Sequence, residues 1–234
     1  MKLYSTACAS LYQTALLAMV LLSLPGSAWA QVALSGQVKF SDGTAISGAT
    51  IYASSTTGGS SQSTTADASG TYVLYLIPDT YNLSIQFYSP GFSGSQTVAT
   101  SRTISTSTQL NLTVADILLN GRIVNSSGEP VANVQLSGYG YLQNGSGNLY
   151  PTSGSDGRFQ VRVLPGSYSL QLYPPSGSPY ATTPLPSETF SVSTTKDFVL
   201  SNAISLSGQV KFSDGTAVSG ATIYASSTTG GSSQ

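Results

Sequence analysis

The sequence predicts an all-β protein built from tandem β-sandwiches, and three observations support this fold class. A stretch of 29 residues beginning at Leu34 recurs at Leu206 with one change, Ile46 to Val218, which is typical of a module array. Short runs that alternate apolar and polar residues are separated by turns rich in Gly, Pro and Asp. After residue 30, no stretch of useful length has apolar residues at helical spacing.

The N-terminal residues have the pattern of a secretory signal. Residues 15–24 form a short apolar run, which Pro25-Gly26 ends, and Ala28 and Ala30 are spaced like the small residues before a cleavage site. The run is too short to cross a bilayer comfortably. We therefore expect residues 1–30 to be a signal peptide removed after Ala30. The mature chain would have no membrane span, and it would be secreted, extracellular or attached to the cell surface.

The first predicted module, module 1, covers residues 31–117. Its opening strand alternates, with Leu34, Val38 and Phe40 on one face, and the next strands are separated by Asp- and Gly-containing turns. The strongest core signal is a hairpin in which Tyr72 and Tyr81 each begin an alternating run. The strands that we expect, in order, are 31–40, 49–54, 72–77, 81–87, 96–104 and 109–114.

Residues 118–204 repeat this order as module 2, and residues 205–234 begin a third copy that contains only the first two strands. In module 2 the outward positions of one strand are Gln160 and Arg162, which sets the phase of the alternation. The third copy has no partner strands of its own, and a lone two-stranded unit is marginal in water. We expect this tail to be frayed or to pair with a neighbouring sheet edge.

The spacing of turn and core residues resembles the carboxypeptidase regulatory-like, or transthyretin-like (prealbumin-like), domain family. In module 1 the matching residues are Gly36, Val38, Gly43, Ile46, Gly48, Ala49, Ile51, Asp67, Gly70, Tyr72, Pro78 and Tyr81. In module 2 they are Gly121, Ile123, Gly128, Pro130, Val131, Val134, Asp156, Gly157, Phe159, Leu164, Pro165, Gly166 and Tyr168. Asn133 stands where the family pattern has Gly. The resemblance implies tandem prealbumin-like, non-catalytic sandwiches of about seven strands, the last one truncated.

The residue types give no support for an enzyme. The chain has no His, and its one Cys, Cys8, lies in the expected signal peptide, so the usual zinc sites and Ser-His or Cys-His nucleophile systems have no residues to form them. Most acidic residues lie in turns, where capping is their ordinary role. We predict no catalytic, cofactor or metal residues. Lys39 and Asn111 invite comparison with isopeptide-forming adhesins, but no Glu lies in residues 31–118, so we expect no such bond.

Aromatic residues beside two equivalent loops are the candidate ligand contacts. Tyr88 and Phe92 flank one loop, and Tyr173 and Tyr180 flank the other. Exposed rings could stack on sugar faces. The alternative is that these rings are half-buried at the end of a sandwich, as strand tyrosines often are.

These observations favour a structural spacer, display or adhesion array. The alternative is a module that binds carbohydrate, such as a starch-like polysaccharide. The expected partners are neighbouring modules of the same chain, and a surface polysaccharide or another surface protein could be a further partner. Charged residues make up 7% of the chain, the net charge is −1 and there is no basic run, so nucleic acid is not an expected partner.

Overall fold

The structure, a computed structural model, describes residues 30–225 and contains fifteen strands and no helix in that range. The first eight strands are β1 Val32–Phe40, β2 Thr50–Ser55, β3 Gln62–Thr65, β4 Thr71–Leu76, β5 Asp79–Ser89, β6 Phe92–Ile104, β7 Thr108–Gln109 and β8 Leu112–Val114. The other seven are β9 Ile117–Val124, β10 Gln135–Leu142, β11 Gly145–Leu149, β12 Arg158–Val163, β13 Gly166–Tyr173, β14 Thr183–Phe190 and β15 Thr194–Val199. The all-β fold class is confirmed.

Three sheets form two sandwiches that share one large sheet. The small sheet of module 1 has the order β4-β1-β7, with β8 also paired to β1, and the small sheet of module 2 has the order β12-β9-β15. The large sheet has the order β14-β13-β10-β11-β6-β5-β2-β3. It is continuous because β6 of module 1 pairs with β11 of module 2. The separate sandwiches expected from the sequence are therefore joined edge to edge.

The alternation read from the sequence determines which side chains enter the core. In β1, every second residue from Leu34 to Phe40 is buried, while the residues between them are half-buried. The phase taken from module 2 is confirmed in β4, where Val73 and Tyr75 are 44% and 60% exposed. Successive side chains of a strand point to opposite faces, so each sandwich buries one face of each of its sheets.

Tyr81 and Tyr168 occupy equivalent core positions, as the sequence predicts. Each ring is 1% exposed, and each hydroxyl donates to a carbonyl four residues upstream: Tyr81 to Ile77 at 2.7 Å and Tyr168 to Leu164 at 2.8 Å. A buried hydroxyl needs such a partner. Burial raises the pKa of both phenols. Each tyrosine thereby fixes the tight connection that precedes its strand. The hairpin predicted here is wrong, because β4 pairs with β1 in a small sheet while β5 pairs with β2 and β6 in the large sheet, and the chain crosses between the sheets at this turn.

The third copy has no strand among its described residues. The apolar side chains of Leu206, Phe212 and Ile223 are 90%, 61% and 68% exposed. Its first turn still forms, because the Phe212 amide donates to the Thr216 carbonyl at 2.8 Å. The frayed tail expected from the sequence therefore agrees with the structure up to residue 225. Most of the expected signal peptide, including Ala28, lies outside the described residues, and Ala30 is exposed.

Candidate functional site

The four aromatic residues predicted to contact a ligand do not form one cluster. Tyr88 and Tyr173 lie at the ends of β5 and β13 and are 64% and 43% exposed. Tyr180 is half-buried and packs against the core, and the Asn125 side-chain Nδ2 lies 3.5 Å from its hydroxyl oxygen. Phe92 has no exposed surface. The stacking role predicted for Phe92 is wrong, because a fully buried ring has no face open to a ligand.

Phe92 instead links the two modules through the core. Its ring lies 5.9 Å from that of Phe87, and a Cβ added to Gly147 of β11 would meet Phe92 Cζ at 2.4 Å. Position 147 therefore accepts only Gly without a shift of this ring. The buried apolar residues of both modules form one continuous cluster that includes Phe92. The sequence alone suggests that a Phe beside a loop is exposed, because it does not show that β11 of the other module covers this ring.

The backbone joins the modules along five residue pairs of β6 and β11, from Phe92 opposite Leu149 to Gln96 opposite Gly145. The ladder extends one step further, because the Thr97 amide donates to the Asn144 carbonyl at 2.7 Å. In an antiparallel pair, residues two apart use the same edge, so Ser95 also directs its amide toward β11. Bending at this junction would break a row of backbone hydrogen bonds.

A polar cluster ties the small-sheet side of the junction, and we call Arg162, Asp116, Asp42 and Phe40 the clasp. Arg162 lies on β12 of module 2, and its Nη1 donates to Asp116 Oδ2 at 2.7 Å while its Nη2 donates to Asp42 Oδ2. The guanidinium also lies over the Phe40 ring, 4.6 Å from its centroid. Two of the partners, Phe40 and Asp42, belong to the start of module 1.

Asp116 is the buried centre of the clasp, with a side chain 2% exposed. Its Oδ1 accepts from the Ser41 amide at 2.7 Å, and its carbonyl accepts from the Ser41 hydroxyl at 3.1 Å. A buried carboxylate requires a charged partner and further donors, and Arg162 and Ser41 supply them. The hydrogen bond from Arg162 is the main cause that holds the pKa of Asp42 well below its usual value. Asp42 is thus ionised at neutral pH.

The clasp is a feature that the sequence reading missed. Asp42 was expected only to cap its turn, which it does, since its Oδ1 accepts from the Thr44 amide at 2.9 Å. Asp116 lies in the connection between the modules, and the sequence marks Arg162 only as an outward position of a strand. The sequence does contain one signal of this cluster, which is the scarcity of charged residues. Because only 7% of the residues are charged, an Arg on a strand and an Asp in a short connection suggest an ion pair.

Lys39 and Asn111 have ordinary roles in module 1. Asn111 Oδ1 accepts from the Gln37 amide at 3.0 Å, which closes the gap between β7 and β8 beside β1. Lys39 is a half-buried residue of β1 opposite Thr113. In residues 30–225, no three His, Cys, Asp or Glu side chains are grouped so that they could hold a metal ion. The same range contains no helix with the length and hydrophobicity of a membrane span.

Comparison with known proteins gives one family and several solved structures. Residues 33–115 match the model of a family described as the carboxypeptidase regulatory-like domain. A search of curated proteins found no match.

Among solved structures, a streptococcal ancillary pilin is 17% identical with a TM-score of 0.31, over 74% of this chain and 62% of that one. The Bacillus anthracis TIE protein is 14% identical with a TM-score of 0.31, over 74% of this chain and 34% of that one. The shaft pilin SpaA of Lactobacillus rhamnosus GG is 9% identical with a TM-score of 0.35, over 76% of this chain and all of that one. This chain thus spans less than two thirds of the first two proteins.

Proposed function

We propose that this chain, whose residues 33–115 match the model of the carboxypeptidase regulatory-like domain, is a non-catalytic structural spacer of an extracellular or cell-surface array. In this proposal, modules 1 and 2 form one rigid unit, and successive units are joined flexibly. The observation that supports it is the large sheet, which runs through both modules by the pairing of β6 with β11.

Rigidity within the pair has three sources on three sides of the junction. The β6–β11 ladder holds the large-sheet side, Phe92 fills the core, and the clasp holds the small-sheet side. A hinge motion would break backbone hydrogen bonds, expose an aromatic ring and separate a buried ion pair. Contacts of this kind between domains oppose the relative motion that is the default for linked domains.

The far edge of module 2 is built to end the sheet. β14 is the equivalent of β6. Pro184 lies opposite Gln171 as Thr97 lies opposite Ser84, and Gln171 and Ser84 each come three residues after the equivalent tyrosines, Tyr168 and Tyr81. Thr97 donates its amide to the Asn144 carbonyl of module 2 at 2.7 Å, whereas Pro184 has no amide hydrogen to donate at the matching position of β14. Pro186, two residues further along β14, also lacks this hydrogen.

The clasp is likewise absent from the end of module 2. At an offset of 85 positions, Asn125 stands for Phe40 and Ser127 for Asp42. Asn202 stands for Asp116, because Phe198 lies opposite Ile123 as Leu112 lies opposite Val38. None of these residues can supply the carboxylates that the clasp requires. Both junction devices therefore occur within the pair and not after it, which fits a repeat of 172 positions, the distance from Leu34 to Leu206.

Distance measurements between spin labels test the proposal. We would place cysteines at exposed Gln62 and Thr189 in a Cys8→Ser background, since the chain has no other Cys. These strands lie seven spacings apart in the large sheet, so we expect one narrow distribution near ~34 Å, shortened somewhat by the sheet twist. A second label pair, Thr189 and Ser213, reports on the joint with the third copy and should give a broad distribution.

A matched variant places prolines on the edge of β6 that faces β11, and its change at Thr97 copies Pro184 of β14. Ser95→Pro with Thr97→Pro should broaden the distance between positions 62 and 189, because the junction loses the two amides that face β11. A broad distribution in the parent chain, or no response to the prolines, would contradict the rigid pair. If this variant does not fold, Ser93→Pro with Ser95→Pro in the parent chain is the second variant.

A further inference from the structure

The outer face of the large sheet, the face turned away from the core, is rich in exposed tyrosine. These side chains lie on β2, at the end of β5, on β10, just after β11 and at the end of β13, so they are distributed over both modules. Their exposed fractions range from 39% to 84%, and the residues are Tyr52, Tyr88, Tyr139, Tyr141, Tyr150 and Tyr173.

This face carries almost no charge. β2, β3, β10, β11 and β13 contain no charged residue at all. The other three strands of the large sheet contribute Asp79 and Arg102, at the far end of the β5–β6 hairpin, and Glu188, which is paired with Lys196. The charged residues of the other described strands lie on β1, β9, β12 and β15 of the small sheets. The polar groups between the tyrosines are therefore neutral hydroxyls and amides.

A glutamine forms a hydrogen bond with exposed tyrosine in each module. The Tyr52 hydroxyl donates to Gln86 Oε1 at 3.2 Å, and Gln86 Nε2 donates to the Tyr88 hydroxyl at 3.3 Å. In module 2 the Tyr173 hydroxyl donates to Gln171 Oε1 at 2.8 Å. The two pairs lie at different positions of the equivalent strands, because Gln171 corresponds to Ser84 in the strand register. Rings held by a neighbouring amide lose less freedom when a ligand stacks on them.

One row of the outer face crosses the junction between the modules. Following the strand register, Tyr88 lies opposite Ser93, Ser93 opposite Asn148, and Asn148 opposite Tyr139. The two rings are three strand spacings apart, roughly 14 Å, with an exposed Asn and a half-buried Ser between them. The row thus alternates a flat aromatic surface with hydrogen-bonding groups along a straight line across the strands.

We propose that the outer face binds an uncharged polysaccharide whose chain lies across the strands along this row. Sugar rings stack on Tyr88 and Tyr139, and the Asn148 amide and Ser93 hydroxyl bond to sugar hydroxyls, a combination of aromatic faces with few polar groups that is typical of ligand sites. An anionic polymer has no cation here to pair with. A protein partner would leave several of these hydroxyls and amides buried, each needing a bond.

Affinity electrophoresis tests the proposal with four polymers in native gels: glycogen, hydroxyethylcellulose, galactomannan and the anionic alginate. We expect at least one of the three neutral polymers to retard the chain, with no dependence on salt, and alginate to have no effect. Tyr88→Ala and Tyr139→Ala should each weaken retardation at least threefold, and the double variant at least tenfold. Tyr75→Ala is the matched control, since this tyrosine is 60% exposed on β4 of a small sheet and should leave retardation unchanged.

Three results would overturn the proposal: no retardation by any neutral polymer, equal loss with Tyr75→Ala, or stronger and salt-sensitive retardation by alginate. The continuous row rests on the proposed rigid pair, so the two ideas are separated by the label distances. Tyr88→Ala and Tyr139→Ala should keep the narrow distance between positions 62 and 189 while losing retardation. Ser95→Pro with Thr97→Pro should weaken retardation less than the double tyrosine variant does, because each ring remains on its own module.

Discussion

Replacing Arg162 with Met removes the cation of the clasp and keeps most of the apolar stem, so the effect on stability isolates the charge. The variant leaves the Asp116 carboxylate, 2% exposed, without its ionic partner. Breaking a buried pair in this way costs about 3–5 kcal/mol in well-buried cases. Arg162 is itself 22% exposed and the Ser41 amide still donates to Asp116, so water and one donor offset part of this cost. We expect a loss of about 2–3 kcal/mol in the free energy of unfolding.

Urea unfolding followed by tyrosine fluorescence and by circular dichroism measures this loss. With a slope of about 2–3 kcal/mol per molar urea for a chain of this size, the midpoint should fall by about 1 M. Arg158→Met is the matched control on the same strand, because Arg158 and Asp156 are 70% and 65% exposed and 3.8 Å apart. An exposed pair of this kind contributes at most about 1 kcal/mol.

A double variant separates the buried charge from general damage to β12. Arg162→Met with Asp116→Asn should recover part of the loss, because the carboxylate that lacks a partner is then replaced by a neutral amide. If Arg162→Met unfolds at the same urea concentration as Arg158→Met, or if the two changes in the double variant simply add, the clasp does not work as described.

The pH dependence of the clasp follows from the same contacts. The pKa of Asp42 is lower in the folded chain than its usual value of 3.8, chiefly through the hydrogen bond from Arg162. The stability that Asp42 contributes is therefore complete above its usual pKa and is lost as the pH falls from there toward the folded pKa. The stability difference between the parent chain and Asp42→Asn should be constant near neutral pH and shrink below about pH 4.

Three further predictions follow from the fold. Tyr81→Phe and Tyr168→Phe should each lower the free energy of unfolding by about 1 kcal/mol through the lost bond to a carbonyl, and the Ala variants by about 3–5 kcal/mol; unchanged thermal melts would contradict the core placement. Hydrogen exchange should be slow in residues 34–53 and fast in residues 206–225, although the sequences differ at one position; equal slow exchange in a monomer would contradict the frayed tail. Intact mass should match the sequence, and a deficit of one ammonia or water that Lys39→Ala abolishes would reveal an isopeptide bond.

The strand pattern is the part of this protein that local sequence determines. Alternation placed Tyr81 and Tyr168 in the core and Tyr75 outside it, because a strand presents successive side chains to opposite faces whatever surrounds it. Turn chemistry is equally local: Asn133 and Gly48, 85 positions apart, both adopt positive φ, at 59° and 71°. The family resemblance likewise depends on such turn and core residues, so the sequence alone is enough to detect it.

Only the tertiary structure decided how the modules meet. The role of Phe92 depends on β11, which lies more than fifty residues further along the chain, and the clasp joins Asp42 to Arg162 across 120 positions. No local pattern encodes such a contact, because its energy comes from groups that share a site only after both modules fold. The sequence by itself determined which residues form strands and which faces are apolar. The structure decided which edges pair, and there the physical reason is the amide that Thr97 directs outward and that Pro184 lacks.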